Sequence, residues 1–214
     1  RNADWNLVGI GQGGLGLDTR DYYLSDDEQN KRVLEAYKTY LKKLFVLTGY
    51  DEATAEKKMQ AVLAIETRIA KASYDQVKLR DVAANYHKMS YMQLVNDFPG
   101  IDWGNVFLAS GFPAFDAIDV GQPEPIHEVE KILAETSLDD LKTYAEAKVI
   151  SGASSQLRDD FRKVSFEFNS VLTGVKQDRP RWKRGVSLVS GVLGEAIGKL
   201  YVEKYFPATS KEKM

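Results

Sequence analysis

Apolar residues recur every three or four positions along most of this sequence, and no stretch alternates apolar and polar residues for long enough to indicate a strand. This spacing lines apolar side chains along one face of an α-helix. It is clearest between Ser25, which forms a capping-box pattern with Glu28, and Gly49, a residue suited to end a helix. The sequence therefore predicts an all-α fold, an irregular multi-helix domain of about seven or eight helices.

The same spacing predicts the remaining helices, several of them with polar residues suited to cap their starts. They span approximately residues 54–73, 90–98, 102–110, 126–133, 137–145, 157–173 and 181–206. Residues 112–125 contain three prolines and are predicted to form the longest surface connection. The last helix contains internal glycines, each of which lowers helix stability by about 1 kcal/mol relative to alanine. Because glycine lets another helix approach closely, we expect a neighbouring helix to pack there and offset this loss.

Composition limits the chemistry that the chain can perform. It has 214 residues, no cysteine, two histidines and a formal charge of -2. These counts exclude disulfides, thiol nucleophiles and thiolate zinc or iron–sulfur sites, and leave too few ligands for most transition-metal sites. The near-neutral charge gives no field that favours nucleic acid, so no nucleic-acid partner is predicted. No stretch is apolar and long enough to predict a membrane span.

The chain divides by composition into three segments. Residues 1–24 are a glycine-rich lead-in, residues 25–206 a helical domain and residues 207–214 a tail. The sequence begins at Arg1 rather than methionine and has no signal-peptide pattern. We therefore expect a mature or excised piece of a longer protein.

Gly9, Gly11 and Gly14 spell G-x-G-x-x-G, the pattern of dinucleotide-binding turns. That pattern binds a pyrophosphate where a helix opens at the third glycine, within a β-α-β unit. No helix is predicted to open there, so the three glycines are interpreted as a structural turn.

His127 and Glu128 begin the zinc-binding pattern H-E-x-x-H, but Lys131 stands where the second histidine is needed. His127 is therefore predicted to be a first-turn residue of its helix, and His87 a loop or surface residue. No catalytic, metal-binding or cofactor-binding residue is predicted in this chain, and substrate-binding residues are not assigned.

Charged residues cluster in two ways. Adjacent aspartates occur at residues 26–27, 139–140 and 159–160, each in the first turn of a predicted helix, where negative charge interacts favourably with the helix dipole. A basic cluster surrounds Trp182. It consists of Arg179, Arg181, Lys183 and Arg184. The cluster is interpreted as the entry to the last helix with the tryptophan as an anchor, the alternative being a site for phosphate or an acidic surface.

Glu66 lies on the apolar face of the helix predicted over residues 54–73. Burying an unpaired carboxylate would cost several kcal/mol, so this side chain needs a hydrogen-bonding or charged partner. Arg68 and Arg80 are the predicted partners.

Several segments, in this order, resemble the neprilysin and endothelin-converting-enzyme family of zinc metallopeptidases. They are Gly11–Leu17 leading to Arg20–Tyr23, Ile65–Glu66 with Ile69–Ala70, Leu79–Asp81, Tyr86–Ser90, Ile101–Trp103, and Pro180–Arg184 running into Gly198–Phe206 and Ser210–Lys211. The resemblance covers nearly the whole chain. Asp18, His87 and Gly185 depart from the family pattern, and Gly185 stands where the animal enzymes have a disulfide cysteine, as expected of a bacterial member.

The resemblance implies that this stretch is the N-terminal helical region, which encloses a substrate chamber and restricts access to peptides. The family's H-E-x-x-H motif, its further glutamate ligand and its substrate-binding motif lie C-terminal to this region, so zinc is expected in the parent enzyme and not in this chain. The implied partners are the catalytic domain of the same polypeptide and peptide substrates. The implied location is extracytoplasmic, that is periplasmic, secreted or lipid-anchored at the cell surface.

Two other functions stay open. One is a stand-alone helical module that binds a protein or peptide, which a stop codon soon after Met214 and the absence of a downstream H-E-x-x-H would favour. The other is an enzyme that uses carboxylate chemistry within this domain, which requires a cleft with perturbed acids away from helix starts. If the chain normally packs on a catalytic domain, we expect exposed apolar surface when it is isolated.

Overall fold

The computed structural model of the chain describes residues 6–206. The predicted tail 207–214 and the start of the lead-in lie outside the described residues. The helices are α1 (Asp21–Leu24), α2 (Glu28–Leu47), α3 (Glu52–Ala72), α4 (Gln76–Leu79), α5 (Tyr91–Asp97), α6 (Trp103–Ala109), α7 (Pro123–Glu135), α8 (Leu138–Ala153), α9 (Asp159–Thr173), α10 (Arg181–Val192) and α11 (Gly194–Tyr205). The strands are β1 (Val8–Ile10), β2 (Lys88–Ser90) and β3 (Ala117–Val120). The all-α class is confirmed.

The eleven helices of the described residues exceed the predicted number for two reasons. First, α1 and α4 are single turns of four residues, too short to show a helical period in the sequence. Second, the single helix predicted over residues 181–206 is wrong, because α10 and α11 meet at Leu193. This residue leaves the helical conformation (φ -117°, ψ 33°) between Gly191 and Gly194, and glycine weakens a helix.

The two longest helices, α2 and α3, pack against each other. Asp27 caps α2, since its Oδ1 accepts hydrogen bonds from the backbone N–H groups of Gln29 and Asn30 at 2.9 and 3.1 Å. The predicted cap at Ser25 is wrong, because the Ser25 hydroxyl accepts from the N–H of Asp27 instead. Gly49 follows α2 at φ +108°, a left-handed conformation that favours glycine.

The main core lies where α2 contacts α3, α8 and α9. Aromatic rings contribute much of the contact; Tyr40 of α2 stacks on Phe168 of α9 with ring centroids 4.9 Å apart. Burying each large apolar side chain here stabilises the fold by roughly 1.5–3 kcal/mol. The buried members are Leu17, Val33, Tyr37, Tyr40, Leu41, Leu44, Phe45, Ala55, Met59, Val62, Ala147, Phe161 and Phe168.

A small mixed sheet accompanies the helices, and the sequence did not predict it. The strand order is β1-β3-β2, with β1 parallel and β2 antiparallel to β3. β3 lies within residues 112–125, so the prediction of one continuous surface connection there is wrong in part. Ile118 and Val120 of β3 are fully buried and pack in a second hydrophobic cluster with Leu94 and Phe98. Four residues are too few for alternation to be read from a sequence.

Several predicted helix starts are confirmed. Ser90 and Gln93 make both hydrogen bonds of a capping box at the start of α5. Asp102 caps α6 and Ser137 caps α8. The aspartate pairs also lie at helix starts, with Asp27 as the cap of α2 and the other two pairs in the first turns of α8 and α9.

The chain divides into two compact units, one up to Thr173 and one from Gly174 onward. The first unit contains the hydrophobic clusters and the sheet. The second contains α10 and α11, which are bent by 101° at their junction. No single helix among residues 6–206 is long and apolar enough to cross a membrane. Taken together, the bent pair α10 and α11 is long and apolar enough.

Candidate functional site

Glu66 is the centre of a buried polar cluster beneath the glycine-rich lead-in. Its side chain is fully buried and accepts hydrogen bonds from Tyr23 Oη (2.8 Å), Tyr37 Oη (3.1 Å) and Lys148 Nζ (2.5 Å). Helix α3 presents Glu66, α1 and α2 present the tyrosines, and α8 presents the lysine. We call these four residues the Glu66 cluster. The prediction that Glu66 is buried beside a basic partner is confirmed.

The predicted identity of that partner is wrong. Arg68 forms ion pairs with Glu128 (2.7 Å) and Glu135 (2.8 Å) of α7, and Arg80 is exposed. Arg68 follows Glu66 by two positions, and residues two apart lie on different faces of a helix. The partner therefore comes from a distant helix rather than from neighbouring sequence.

The backbone of the glycine-rich turn, Gly11–Leu17, lies directly against the Glu66 cluster at its C-terminal end. The N–H groups of Gly16 and Leu17 both donate to Tyr23 Oη, at 3.1 and 3.0 Å. The turn approaches α2 so closely that a Cβ on Gly16 would lie 1.8 Å from Tyr37 Oη. Any side chain at Gly16 therefore displaces Tyr37.

Further contacts fix the rest of this turn. Gly14 has φ +86°, a conformation that favours glycine, and its carbonyl accepts a hydrogen bond from Tyr144 Oη at 2.6 Å. The side chain of Gln12 bonds the backbone N–H and carbonyl of Tyr74 at 2.7 and 3.1 Å. The described part of the lead-in is thus packed on the helices of the first unit, to which it belongs, and is not a free loop.

Two segments that carry the family resemblance meet at this place. Residues 11–23 and 65–70 are distant in sequence, yet the Glu66 cluster joins them. Arg20 adds a second link by donating to the carbonyl of Ser73, at the end of α3, at 2.5 Å. These motif residues hold the lead-in on the helical core, which is an architectural role.

The chemistry of the Glu66 cluster also indicates positioning. Burial, reinforced by the negative charge of Glu66, raises the pKa values of Tyr23 and Tyr37 far above that of a free tyrosine. Burial and the same charge raise the pKa of Tyr144 to about 12. These hydroxyls stay protonated at neutral pH and donate hydrogen bonds. Since Glu66 is fully buried among three donors, it is not placed to exchange a proton with a ligand.

The geometry around G-x-G-x-x-G favours a structural turn. Gly9 lies in β1, and no helix of the described chain begins before Asp21. The side chain of Gln122 fills the space next to Gly11, since a Cβ on Gly11 would lie 2.9 Å from Gln122 Oε1. The same oxygen accepts a hydrogen bond from the backbone N–H of Gln12 at 2.8 Å. Gly11 and Gly14 therefore allow close packing against side chains of the protein itself.

The two histidines make separate contacts. His87 Nδ1 lies 2.9 Å from the carbonyl oxygen of Val120, at the end of β3. His127 Nδ1 lies 3.0 Å from Glu130 Oε2. Because α7 begins at Pro123, His127 is in its second turn, not the first as predicted. Among residues 6–206, no group of three or more His, Asp or Glu side chains is arranged to hold a metal ion.

An open groove of about 1110 Å³ follows α2 and α3. Aliphatic side chains such as Leu34 and Leu63 line it together with charged ones, including Lys42, whose Nζ lies 3.0 Å from Glu52 Oε2 and 3.5 Å from Glu56 Oε2. We call it the α2–α3 groove. Charged and apolar side chains contribute about equally to its lining, so the groove is amphipathic rather than an apolar pocket.

The basic cluster lies at the start of α10. Trp182 is 65% exposed, so its predicted role as an anchor is wrong for this unit taken by itself. Arg184 pairs with Asp178 at 3.3 Å and donates to the carbonyl of Arg179. A Cβ on Gly185 would have no heavy atom of this unit within 4 Å, so the closely approaching helix predicted there is not found.

The family model described as peptidase family M13, in its N-terminal part, matches residues 1–214. The chain belongs to peptidase family M13. Endothelin-converting enzyme 1 of Rattus norvegicus is 32% identical over 99% of this chain, a match that covers 28% of the relative. The family resemblance found in the motifs of the sequence is thereby confirmed, including the N-terminal position of this region.

Solved structures agree with this M13 assignment. The zinc metalloprotease Zmp1 of Mycobacterium tuberculosis, in complex with an inhibitor, matches with a TM-score of 0.89 and 35% identity, covering 97% of this chain and 32% of Zmp1. PepO of Lactobacillus rhamnosis matches with a TM-score of 0.82 at 16% identity, which supports the fold alone. This chain spans less than a third of the length of these relatives.

Proposed function

We propose that this M13 chain is a non-catalytic region of a zinc metalloendopeptidase, and that it encloses a substrate chamber and restricts access to peptides. The observation that carries the proposal is the similarity to Zmp1, a zinc metalloprotease solved with an inhibitor, of which this chain matches 32% with a TM-score of 0.89. The other two thirds of such a protein have room for a zinc site and its catalytic groups.

The proposed reaction of the whole protein is peptide-bond hydrolysis by zinc-activated water. Zinc belongs to the parent enzyme, and this chain contributes shape and charge. Its most buried carboxylate, Glu66, supports that assignment, because it is fully used in holding the lead-in. The proposed partners are the catalytic domain of the same polypeptide and peptide substrates, and the proposed location is extracytoplasmic.

A chamber wall must be rigid and must offer surface to a peptide. We propose that the chain consists of a lead-in (residues 1–24), a helical cap domain (residues 25–206) and a tail (residues 207–214). Rigidity is supported by the Glu66 cluster, which holds Gly16–Tyr23 of the lead-in on the helices. The α2–α3 groove is a candidate surface for peptide contact. Other structures of Zmp1 are described as an open state and a partial open state, which supports a chamber with more than one degree of closure.

The proposal is tested by comparing the chain 1–214 with the full-length polypeptide in hydrolysis of a fluorogenic peptide. We expect hydrolysis by the full-length protein that a zinc chelator abolishes and added zinc restores. We expect none by the chain 1–214, and no stoichiometric zinc in it after dialysis. As a control, Glu128→Gln in the full-length protein removes the glutamate of the incomplete H-E-x-x-H and leaves the rate unchanged.

Two results would contradict the proposal. Chelator-sensitive hydrolysis by the chain 1–214 would place catalysis in this region. A full-length polypeptide that ends soon after Met214, contains no H-E-x-x-H and hydrolyses no peptide would support the alternative, a stand-alone helical interaction module.

A further inference from the structure

The second unit has no core of its own. None of its described residues, 174–206, is buried, whereas every buried apolar residue of the described chain lies between Leu17 and Phe168. Instead, the unit exposes ten large apolar side chains. They are Val175, Trp182, Val186, Leu188, Val189, Val192, Leu193, Leu200, Tyr201 and Tyr205.

Four of these side chains form a stripe along α10. Trp182, Val186 and Val189 follow each other at intervals of four and three residues, which places them on one side of α10, and Leu193 follows where the helix ends. Ser187 lies on the opposite side. We call this stripe the α10 face. An amphipathic helix of this kind is stabilised by a partner that covers its apolar side.

The helices of this unit are too short to be stable without such a partner. Each of α10 and α11 has 12 residues, and isolated helices of this length are marginal in water even for sequences with high helix propensity. The internal glycines of α10, Gly185 and Gly191, lower its propensity further. An exposed apolar stripe along a helix is typical of an interaction surface.

We propose that the α10 face is the docking surface for the polypeptide that follows this chain in the full-length M13 protein, an inference that rests on the proposed function. The chain spans 28% of endothelin-converting enzyme 1 and 32% of Zmp1, so most of such a protein lies outside it. The sequence runs from α11 at Tyr205 to Met214, so polypeptide that follows is tethered close to this unit. Tethering raises its effective concentration at the α10 face.

Charge defines the chemistry of the covering surface. Residues 174–206 carry seven basic and three acidic side chains, and four of the basic ones form the basic cluster around Trp182. The complementary surface is apolar with an acidic rim. An anionic membrane would have similar complementarity, but the tether favours the polypeptide.

Hydrogen–deuterium exchange of the full-length protein and of the chain 1–214 tests this docking. The amides of residues 181–205 are expected to be at least about 100-fold more protected in the full-length protein. The amides of α2 and α3 serve as the internal reference for folding and are expected to exchange equally in both. Peptide hydrolysis by the same full-length preparation is measured in parallel.

A matched pair of variants in the full-length protein identifies the face. Val189→Asp places a charge in the stripe and is expected to lower the protection of residues 181–205 by at least about tenfold, whereas Ser187→Asp introduces the same residue on the opposite side and leaves it unchanged. Val189→Ala removes apolar contact without adding charge, so the protection of residues 181–205 in this variant is expected to lie between that in Val189→Asp and that in Ser187→Asp. The α2 and α3 amides report whether each variant remains folded.

Three outcomes would overturn the docking proposal. In the first, residues 181–205 exchange as fast in the full-length protein as in the chain 1–214. In the second, they are already protected in the chain 1–214, without any further polypeptide. In the third, protection appears only with vesicles of anionic phospholipid, which would assign the face to a membrane. Unprotected helices in an active peptidase would overturn the docking alone, and protected helices in an inactive protein would overturn the proposed function alone.

Discussion

Replacing Glu66 by glutamine is expected to lower the free energy of unfolding of this chain by about 3 kcal/mol. The carboxylate is fully buried and accepts hydrogen bonds from two tyrosines and from Lys148. Glutamine keeps the shape but removes the charge that pairs with Lys148, and its NH₂ group cannot accept the hydrogen bond that the replaced carboxylate oxygen accepts. Because the Lys148 side chain is 32% exposed, water solvates part of its charge, which keeps the cost at the lower end for a broken buried pair.

Glu56→Gln is the matched control, since Glu56 lies on the same helix. Its side chain is 41% exposed and pairs with Lys42 at 3.5 Å, so its replacement is expected to cost less than about 1 kcal/mol. Urea unfolding followed by circular dichroism measures both variants, with a lower midpoint at unchanged slope expected for Glu66→Gln. Equal effects of the two substitutions would show that the Glu66 cluster does not stabilise the fold.

Gly16→Ala is expected to destabilise the chain by a similar amount, about 3 kcal/mol. The added Cβ would lie 1.8 Å from Tyr37 Oη and 3.0 Å from Glu66 Oε1. Tyr37 must move away, and its hydrogen bond to Glu66 is then lost inside a buried site. The φ angle of Gly16 is not positive, so the cost arises from the close approach and not from backbone strain.

Gly13→Ala provides the control within the same turn. A Cβ on Gly13 would have no heavy atom within 4 Å. The free energy of unfolding of this variant is therefore expected to stay within about 0.5 kcal/mol of that of the parent chain. Gly16 and Glu66 share Tyr37 as a neighbour. The double variant Gly16→Ala/Glu66→Gln is therefore expected to lose less unfolding free energy than the two single variants added together. Additive effects, or equal effects at Gly13 and Gly16, would contradict the close packing of the turn on the cluster.

Helices with local signals were predictable from the sequence. Helix α3, expected over residues 54–73, spans Glu52–Ala72, and the capping box expected at Ser90 is present at the start of α5. These features depend on spacing and on side chains a few residues apart. β3 and the break at Leu193 were not predictable in this way, because a four-residue strand pairs with residues distant in sequence and a helix interruption depends on tertiary context.

The candidate site shows the same division. The position of Glu66 on an apolar helix face predicted its burial, but its basic partner, Lys148, is 82 residues away in sequence. That pairing depends on the packing of α3 against α8, which no local pattern encodes.

Substrate size tests whether this region restricts access to a peptidase chamber, as we propose. The full-length protein is given one cleavable sequence in two forms, as a free peptide of about ten residues and as an exposed loop of a stably folded carrier protein. We expect rapid hydrolysis of the peptide and at least about 100-fold slower hydrolysis of the loop, because a closed chamber admits only the peptide. Equal rates for both forms would contradict the proposal.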